Sequence, residues 1–333
     1  MQKTCLTFFD KFKINGYNMK IADVIDSKND VCGIVAAFNF DDNAMNNALL
    51  IARLVEHLII IDDGSKDKSK LNQLNEMGLH NVEVILSPDN LGIANSLNVG
   101  AKLALDLGYE WCITFDQDST PDKQMVKLLQ KQQKALSELY GDKVAIVAPN
   151  IVDQNANTKN CKYLVENKKF TFVRKSPDVI SNDDKILVVI TSGTLTNLNI
   201  LHDLGFFKTD LFIDYVDTEY CMRLIVNDYK IGVAKDALLT HNLGQKERKK
   251  VCGVEFVPTN HSAFRRYYIA RNSIYMYRNY ALKVPSWFVF DLIATTYNSI
   301  RIILCERDLF NKVKFCVRGY FDGVLGRMGK IDD

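Results

Sequence analysis

Up to Pro149 the chain alternates short apolar runs with stretches of helical periodicity. "VCGIVAAF" (31–38) reads as a buried strand, and a helical segment follows through about Glu56. "HLIIIDDGS" (57–65) is a strand running into a turn, "NVEVIL" (81–86) a strand and "NSLNVGAKLALDLG" (95–108) a helix. "EWCITF" (110–115) is a strand, "DKQMVKLLQKQQKAL" (122–136) a helix and "VAIVAP" (144–149) a strand. Strands alternating with helices argue for a mostly parallel sheet with helices on both faces. Ligands of such sheets bind beyond the carboxyl ends of the strands.

After Pro149 the pattern changes. Residues 150–185 are rich in Asn, Lys and Asp and read as a variable excursion. "KILVVITSGTLTNLNILHDLGFF" (185–207) returns to strand, turn and helix, and the segment 211–244 sets acids before another helix. From about Lys246 the chain is basic and aromatic, and a helical appendage packed on the main domain is expected. Within it, "WFVFDLIATTYNSIRIIL" (287–304) repeats Asp291, Thr295 and Asn298 at helical spacing. That spacing predicts an amphipathic, core-facing helix, with membrane contact as the competing reading. No run reaches about 18 uninterrupted apolar residues, so no spanning helix is expected.

Composition sharpens this picture in three places. A chain of 333 residues that is 47% hydrophobic can bury a substantial core. Its net charge of +2 gives no polyanion-binding balance, and nucleic acid is not an expected partner. Between 245 and 330, however, sixteen Lys and Arg stand against six Asp and Glu, an excess that favours an anionic surface. The eight Cys contain no CxxC pair, so reduced thiols in a cytosolic protein are expected. The start, "MQKTCLTFFDKFKINGYNMK", has no apolar core beside a cleavage site, and no secretory signal is expected.

The candidate chemistry begins at "WCITFDQDST" (111–120), where a strand ends in Asp116 and Asp118. Carboxylates so close repel unless a cation accompanies them. They are either solvated acids capping the next helix or ligands of a divalent metal. "IDDGS" (61–65) puts Asp62 and Asp63 at another strand end, as turn residues or as acceptors for a ligand. Asp89 and Asn90 follow the third strand, where an N-cap is the competing explanation.

These segments, taken in order, carry a resemblance. "VAAFN", "IIIDDGSKD", "NLGIANSLNVGAKLA", "FDQDS", "SGTL", "FIDYVDTEYCMRL", "THNLG" and "RRYYIARN" resemble the family-2 glycosyltransferases of the GT-A fold, most of all their bacterial rhamnosyltransferase branch. The resemblance covers about 31 to 330 and implies a doubly wound, mostly parallel α/β sheet with a helical C-terminal appendage. Residues 1–30 would be an N-terminal extension, 31–244 the catalytic domain and 245–333 the appendage. Within the catalytic domain, about 31–120 would be the nucleotide-sugar half and about 121–244 the acceptor half.

The resemblance also implies roles. Asp118 would ligate Mn²⁺ or Mg²⁺, with Asp116 on the ribose or a metal-bound water and His241 as a further metal or diphosphate contact. Asp63 would accept the N3–H of a uracil or thymine ring, with Asp62, Asn90 and Ala36 also on the nucleotide side. Asp217 would be the catalytic base and Asp214 its rival, while Ser192 and Gly193 would lie along the sugar and acceptor side. Glu219, two residues beyond Asp217, would point elsewhere on a helix. One base and one displacement imply inversion at the anomeric carbon. The branch favours dTDP-L-rhamnose as donor, a UDP-sugar being the alternative, and a lipid-linked or polysaccharide acceptor in cell-surface polysaccharide synthesis. From 261 to 330, Arg265, Arg266, Arg271, Arg278, Lys312, Lys314 and Arg318 interleave with Tyr267, Tyr268, Tyr275, Tyr277, Trp287 and Phe288. They suggest peripheral attachment to an anionic membrane, at its cytoplasmic inner face; packing of the appendage is the competing explanation. A nucleotidyltransferase would want a Gly-rich basic loop after the first strand, where "VAAFNFDDNA" is acidic, and a non-catalytic sugar-binding protein would not keep all these acids.

Overall fold

The computed structural model describes residues 30–153, 161–241, 249–251, 254–256 and 258–331. The proposed N-terminal extension therefore lies outside the described residues. Four strands, Cys32–Ala37 (β1), His57–Asp62 (β2), Val82–Leu86 (β3) and Trp111–Asp116 (β4), run parallel to one another. They are followed by Ser119–Pro121 (β5), Val144–Asp153 (β6), Tyr163–Lys168 (β7), Thr171–Lys175 (β8), Ile186–Val188 (β9), Thr194–Asn197 (β10) and Lys230–His241 (β11), and by a small hairpin of Lys249–Val251 (β12) with Val254–Phe256 (β13). The main sheet has the order β3-β2-β1-β4-β10-β6-β11-β5. In it β10 runs against both neighbours and β5 runs against β11, while all other pairs are parallel.

Successive residues of the inner strands feed two separate cores. Ile34, Ile59 and Ile61 pack on one face with the small-residue helix α3 (Ile93–Asp106) through Ala94, Leu97, Ala101 and Ala104. Val35, Leu58 and Ile60 pack on the other, with α1 (Asp42–Ile51), α2 (Ser69–Glu76) and α4 (Met125–Tyr140). A strand buried on both faces is apolar throughout, which is why the sequence shows runs rather than alternation. On the first face, α5 (Leu198–Asp203) and α6 (Val216–Val226) complete the layer. β1 pairs with β2 on one side and β4 on the other, so the chain leaves β1 in opposite directions and opens a crevice at the carboxyl ends of β1 and β4.

Three expectations are corrected. Helix α2 was absent from the sequence reading, because "SKLNQLNE" buries only Leu71 and Leu74 and is otherwise polar. The excursion 150–185 is structured over its described part: β7, β8 and β9 form an antiparallel three-stranded sheet. The C-terminal region is helical as expected, comprising α7 (Ala263–Tyr280), α8 (Pro285–Cys305) and α9 (Leu309–Leu325). Yet α8 is not core-facing along its length. It buries Pro285, Ser286, Trp287, Ile302 and Cys305, and the face between them is open.

Candidate active site

The two acids of "FDQDS" are held by the residue between them. Gln117 accepts from the Phe38 amide through Oε1 and donates Nε2–H to the Phe38 carbonyl, both at 3.0 Å. Its own carbonyl accepts from Asn47 Nδ2 on α1 at 3.0 Å. With Gln117 tied to the end of β1, Asp116 stays partly buried at the strand end and Asp118 is exposed. Ala36 lies beside this pair, in register with Asp116 on β4 and Ile61 on β2. Directly after Asp118, Ser119 pairs with His241 across β5 and β11. The backbone of His241 thus reaches the acids, but its side chain lies outside the described residues.

Ser192 supports the same loop from behind. It is buried, its Oγ accepts the Asp116 amide at 3.1 Å, and it shares a 2.7 Å hydrogen bond with Ser119 Oγ. Gly193 donates to the Thr114 carbonyl at 2.6 Å. Its φ of +74° and the Leu239 methyl that a Cβ would meet at 2.6 Å both demand glycine. Ser192 and Gly193, expected along the sugar and acceptor side, also brace the acid loop through their bonds to β4 and β5.

The "IDDGS" acids are likewise committed. Asp62 is fully buried, accepts the Ser65 amide with both oxygens at 3.1 and 3.2 Å, and faces Lys68 Nζ at 3.4 Å. Asp63 accepts the Leu91 amide at 2.8 Å and the Gly92 amide at 3.1 Å. Burial pushes its carboxyl above the usual range, against the lowering effect of those amides and Ser96. A base-reading role was expected for Asp63. In the structure both its oxygens also accept from loop amides, which holds 89–92 against the sheet. Gly64 seals the contact: a Cβ there would meet Asn90 N at 2.4 Å. Within that loop, Asn90 Oδ1 is buried with no hydrogen-bond partner, a polar atom left for a ligand. Lys330 Nζ reaches the Asn90 carbonyl at 3.0 Å, so the end of the chain closes over this side.

The third cluster sits on a strained loop. Phe212, Asp214 and Tyr215 all have φ between 62° and 64°, a region costly for side-chain-bearing residues. Buried α7 residues hold it. Asn272 Nδ2 donates to the carbonyls of Leu211, Ile213 and Asp214 at 2.9–3.0 Å, and Arg271 Nη2 to those of Asp210 and Leu211 at 3.0 Å. Arg265, also on α7, clamps the Asp214 carboxylate with contacts of 2.9 to 3.2 Å. Asp214 is therefore an ion-pair partner rather than an open base. Asp217 sits in the first turn of α6, partly exposed. Its Oδ1 accepts from the Thr218 amide at 2.6 Å and hydroxyl at 3.2 Å. Burial pushes its carboxyl up, Thr218 pulls it down, and the Asp214 charge adds to the rise. Glu219 points elsewhere as expected, buried against Arg223 and Tyr280.

Arg265 joins the clusters. Burial lowers its pKa, but the Asp214 hydrogen bonds and the fields of Asp214, Asp116 and Asp217 carry it above its ordinary value. Strand-end and helix-start acids thus act on the same guanidinium. Several expected membrane contacts are corrected here: Arg266, Arg271, Lys312, Tyr267, Tyr268 and Trp287 are buried and pack the appendage. Arg278 is spent on the Gly323 and Val324 carbonyls of α9. The sequence reading missed Arg265, Asn272 and Lys330 as site residues; the segment "RRYYIARN" was itself the signal for the first two. A hollow of about 700 Å³ lined by Val31, Glu56, Tyr109 and Trp111 lies at the amino-terminal ends of β1, β2 and β4, and holds none of the site residues.

The donor set of Asp116 and Asp118 is oxygen only, which fits a hard divalent cation. Among the described residues no group of three or more His, Cys, Asp or Glu gathers to hold a metal. A cation here would take its other ligands from diphosphate and water, as Mg²⁺ commonly does. The acids fit such a cation for a second reason: Asp116, Asp214 and Asp217 all act on one arginine, and that excess of negative charge would repel an anionic donor.

Residues 29–204 match the family described as Glycosyl transferase family 2, and the chain belongs to that family. It is a glycosyltransferase. It is 28% identical over 309 residues to the dTDP-rhamnosyl transferase RfbF of Shigella flexneri, covering 90% of this chain and 97% of that protein. Among solved structures, GalNAc-T7 with UDP, GalNAc and Mn²⁺ superposes with a TM-score of 0.52 at 13% identity over 81% of this chain. This chain spans about half, 54%, of the GalNAc-T7 chain. S. aureus TarS gives a TM-score of 0.49 at 16% identity, over 82% of this chain and 43% of TarS.

Proposed function

We propose that this glycosyltransferase moves L-rhamnose from dTDP-L-rhamnose onto a lipid-linked or polysaccharide acceptor, with inversion, at the cytoplasmic face of the cell membrane. The observation that carries the reading is the start of α6, where Arg265 clamps Asp214 at 2.9 to 3.2 Å and Asp217, oriented by Thr218, is left as the open carboxylate. The likeness to a dTDP-rhamnosyl transferase over nearly the full length of both chains supports the donor.

In this reading the acceptor hydroxyl lies against Asp217. Thr218 fixes Oδ1, so the second oxygen takes the proton as the acceptor oxygen attacks the anomeric carbon. The new C–O bond forms opposite the bond to phosphate, which breaks, and the nucleoside diphosphate leaves; a single displacement inverts the centre. A raised pKa suits a group that must accept a proton near neutral pH. Asp118 and Asp116 would hold Mn²⁺ or Mg²⁺, which when bound supplies Lewis-acid neutralisation of diphosphate charge. Arg265 brings a fixed positive charge on which Asp116 and Asp217 both act. Asp63, by holding 89–92, shapes the nucleotide side, where Asn90 Oδ1 offers an acceptor.

The test is a donor panel with Mn²⁺ or Mg²⁺, scored by release of nucleoside diphosphate in the presence of saccharide acceptor. dTDP-L-rhamnose should turn over, EDTA should stop the reaction and added cation restore it. Turnover of a UDP-sugar in its place would overturn the donor assignment. Full activity of Asp118→Ala in EDTA would overturn the metal assignment.

A further inference from the structure

Helix α8 is long and apolar enough to cross a membrane by length and composition, yet only a small part of it is buried. Its exposed face, from Leu292 through Tyr297 and Ile300 to Leu304, contains no charged residue. Helix α9 carries a matching stripe of Phe310, Val313, Val317, Phe321 and Val324, at the three- and four-residue spacing of one helix face. Phe310 is 82% exposed. Soluble monomers rarely leave contiguous apolar faces of this extent uncovered. Both helices also line one cleft of about 130 Å³, through Asp291, Thr295 and Asn298 on α8 and Cys316 and Tyr320 on α9.

The exposed charges beside these stripes are mostly basic. Arg307 and Lys314 are exposed there, and Arg318 and Arg327 are exposed around Asp322, with which they pair at 3.8 and 3.4 Å. The acids of the same stretch are mostly withdrawn: Glu306 and Asp322 are buried, leaving Asp308 exposed. An apolar face with a basic border fits an anionic bilayer lying in its plane. Spanning is opposed by the other face of α8. There Asp291 accepts from Tyr215 and Tyr277 at 2.9 and 2.8 Å, Ser286 donates to Glu166, and Trp287 is buried. Pulling α8 into the hydrocarbon would break these ties and expose a carboxylate to lipid.

We infer that the outer faces of α8 and α9 are a docking surface for an anionic phospholipid bilayer, with the two helices lying in the headgroup region. The inference rests on the transferase reading only for its purpose, since Tyr215 joins the same cleft to the loop before Asp217. A surface-bound enzyme would meet a lipid-linked acceptor there.

The test is flotation of the full chain with phosphatidylglycerol–phosphatidylcholine vesicles and with phosphatidylcholine alone, across a salt series. Binding should require the anionic lipid and fall as salt rises. The exposed changes Ile300→Glu with Phe310→Glu should lose binding by tenfold or more. Arg307→Glu with Lys314→Glu should lose it by about fivefold or more per residue at low salt. Nucleoside diphosphate release to a soluble saccharide acceptor should be unchanged in both pairs, which separates failure of docking from failure of the transferase reading. Absence of vesicle binding by the wild type, or binding unaffected by either pair, would overturn the inference. So would sedimentation as a dimer that the apolar-to-Glu pair converts to monomer, because a second copy would then be the occupant.

Discussion

Asp217 and Asp214 lie three positions apart, and their surroundings give them different work. Asp214 is paired with Arg265 through both oxygens, whereas Asp217 has one oxygen oriented by Thr218 and a pKa raised by burial and by the Asp214 charge. A raised pKa means that the base is protonated, and turnover falls, as pH drops through a value above the usual Asp range. Asp217→Asn should retain donor binding and lose about 10²-fold or more in turnover. Asp214→Asn removes a negative neighbour, so the pKa of Asp217 should fall and the acidic limb of the pH–rate profile should move to lower pH. Profiles of turnover against pH for the two variants check this. An unmoved limb in Asp214→Asn would deny the coupling, and a larger turnover loss there than in Asp217→Asn would reverse the two roles.

The loop 210–215 owes its shape to a helix much later in the chain. Three left-handed residues turn its carbonyls toward α7, where Asn272 takes three of them. Asn272→Ala would take this donor from the Ile213 and Asp214 carbonyls, while Leu211 keeps Arg271, at about 1–3 kcal/mol for such a loss. Thermal unfolding should shift down, and turnover should fall more than donor affinity, because the loop carries Asp214 and leads into Asp217. Equal kinetics with a lowered melting point would make Asn272 purely structural. This contact also marks where sequence reading stopped. Acids at the ends of apolar runs are a local signal, so Asp116, Asp118, Asp62, Asp63 and Asp217 could all be picked out. Their partners are not local: Asp63 meets loop amides 28 and 29 positions away, and Arg265 meets Asp214 across 51. The residues of "RRYYIARN" were counted toward an anionic-membrane surface, with packing of the appendage as the competing explanation, because charge and aromatics were visible and burial was not. The mostly parallel character of the sheet was legible because strands buried on both faces lose their alternation; the strand order was not. The β7–β9 sheet was hidden in a polar composition, and α2 in a helix with two buried residues.

The three C-terminal helices are joined to one another by charge as well as by packing. Glu306, at the end of α8, is buried between Arg266 of α7 at 2.7 Å and Lys312 of α9 at 2.9 Å, and it accepts the Asn260 amide at 3.1 Å. Burial alone would raise its carboxyl; Lys312 and Arg266 outweigh that and hold it at about 2, below its ordinary 4.5. A depressed pKa gives stability that is complete above the ordinary value and is lost as pH falls through the folded one. The three-helix appendage should therefore weaken between about pH 4.5 and 2. Fluorescence of Trp287, buried on α8, is a suitable reporter, with urea unfolding measured along the pH series. Glu306→Gln strands two buried cations and should cost about 3–5 kcal/mol at neutral pH. The same variant should show a flatter response across that acid window, since the titrating group is gone. If wild type and Glu306→Gln lost stability in parallel as pH fell, the acid sensitivity would belong to other carboxylates, and this ion cluster would not be what fastens α7, α8 and α9 together beside the catalytic loop.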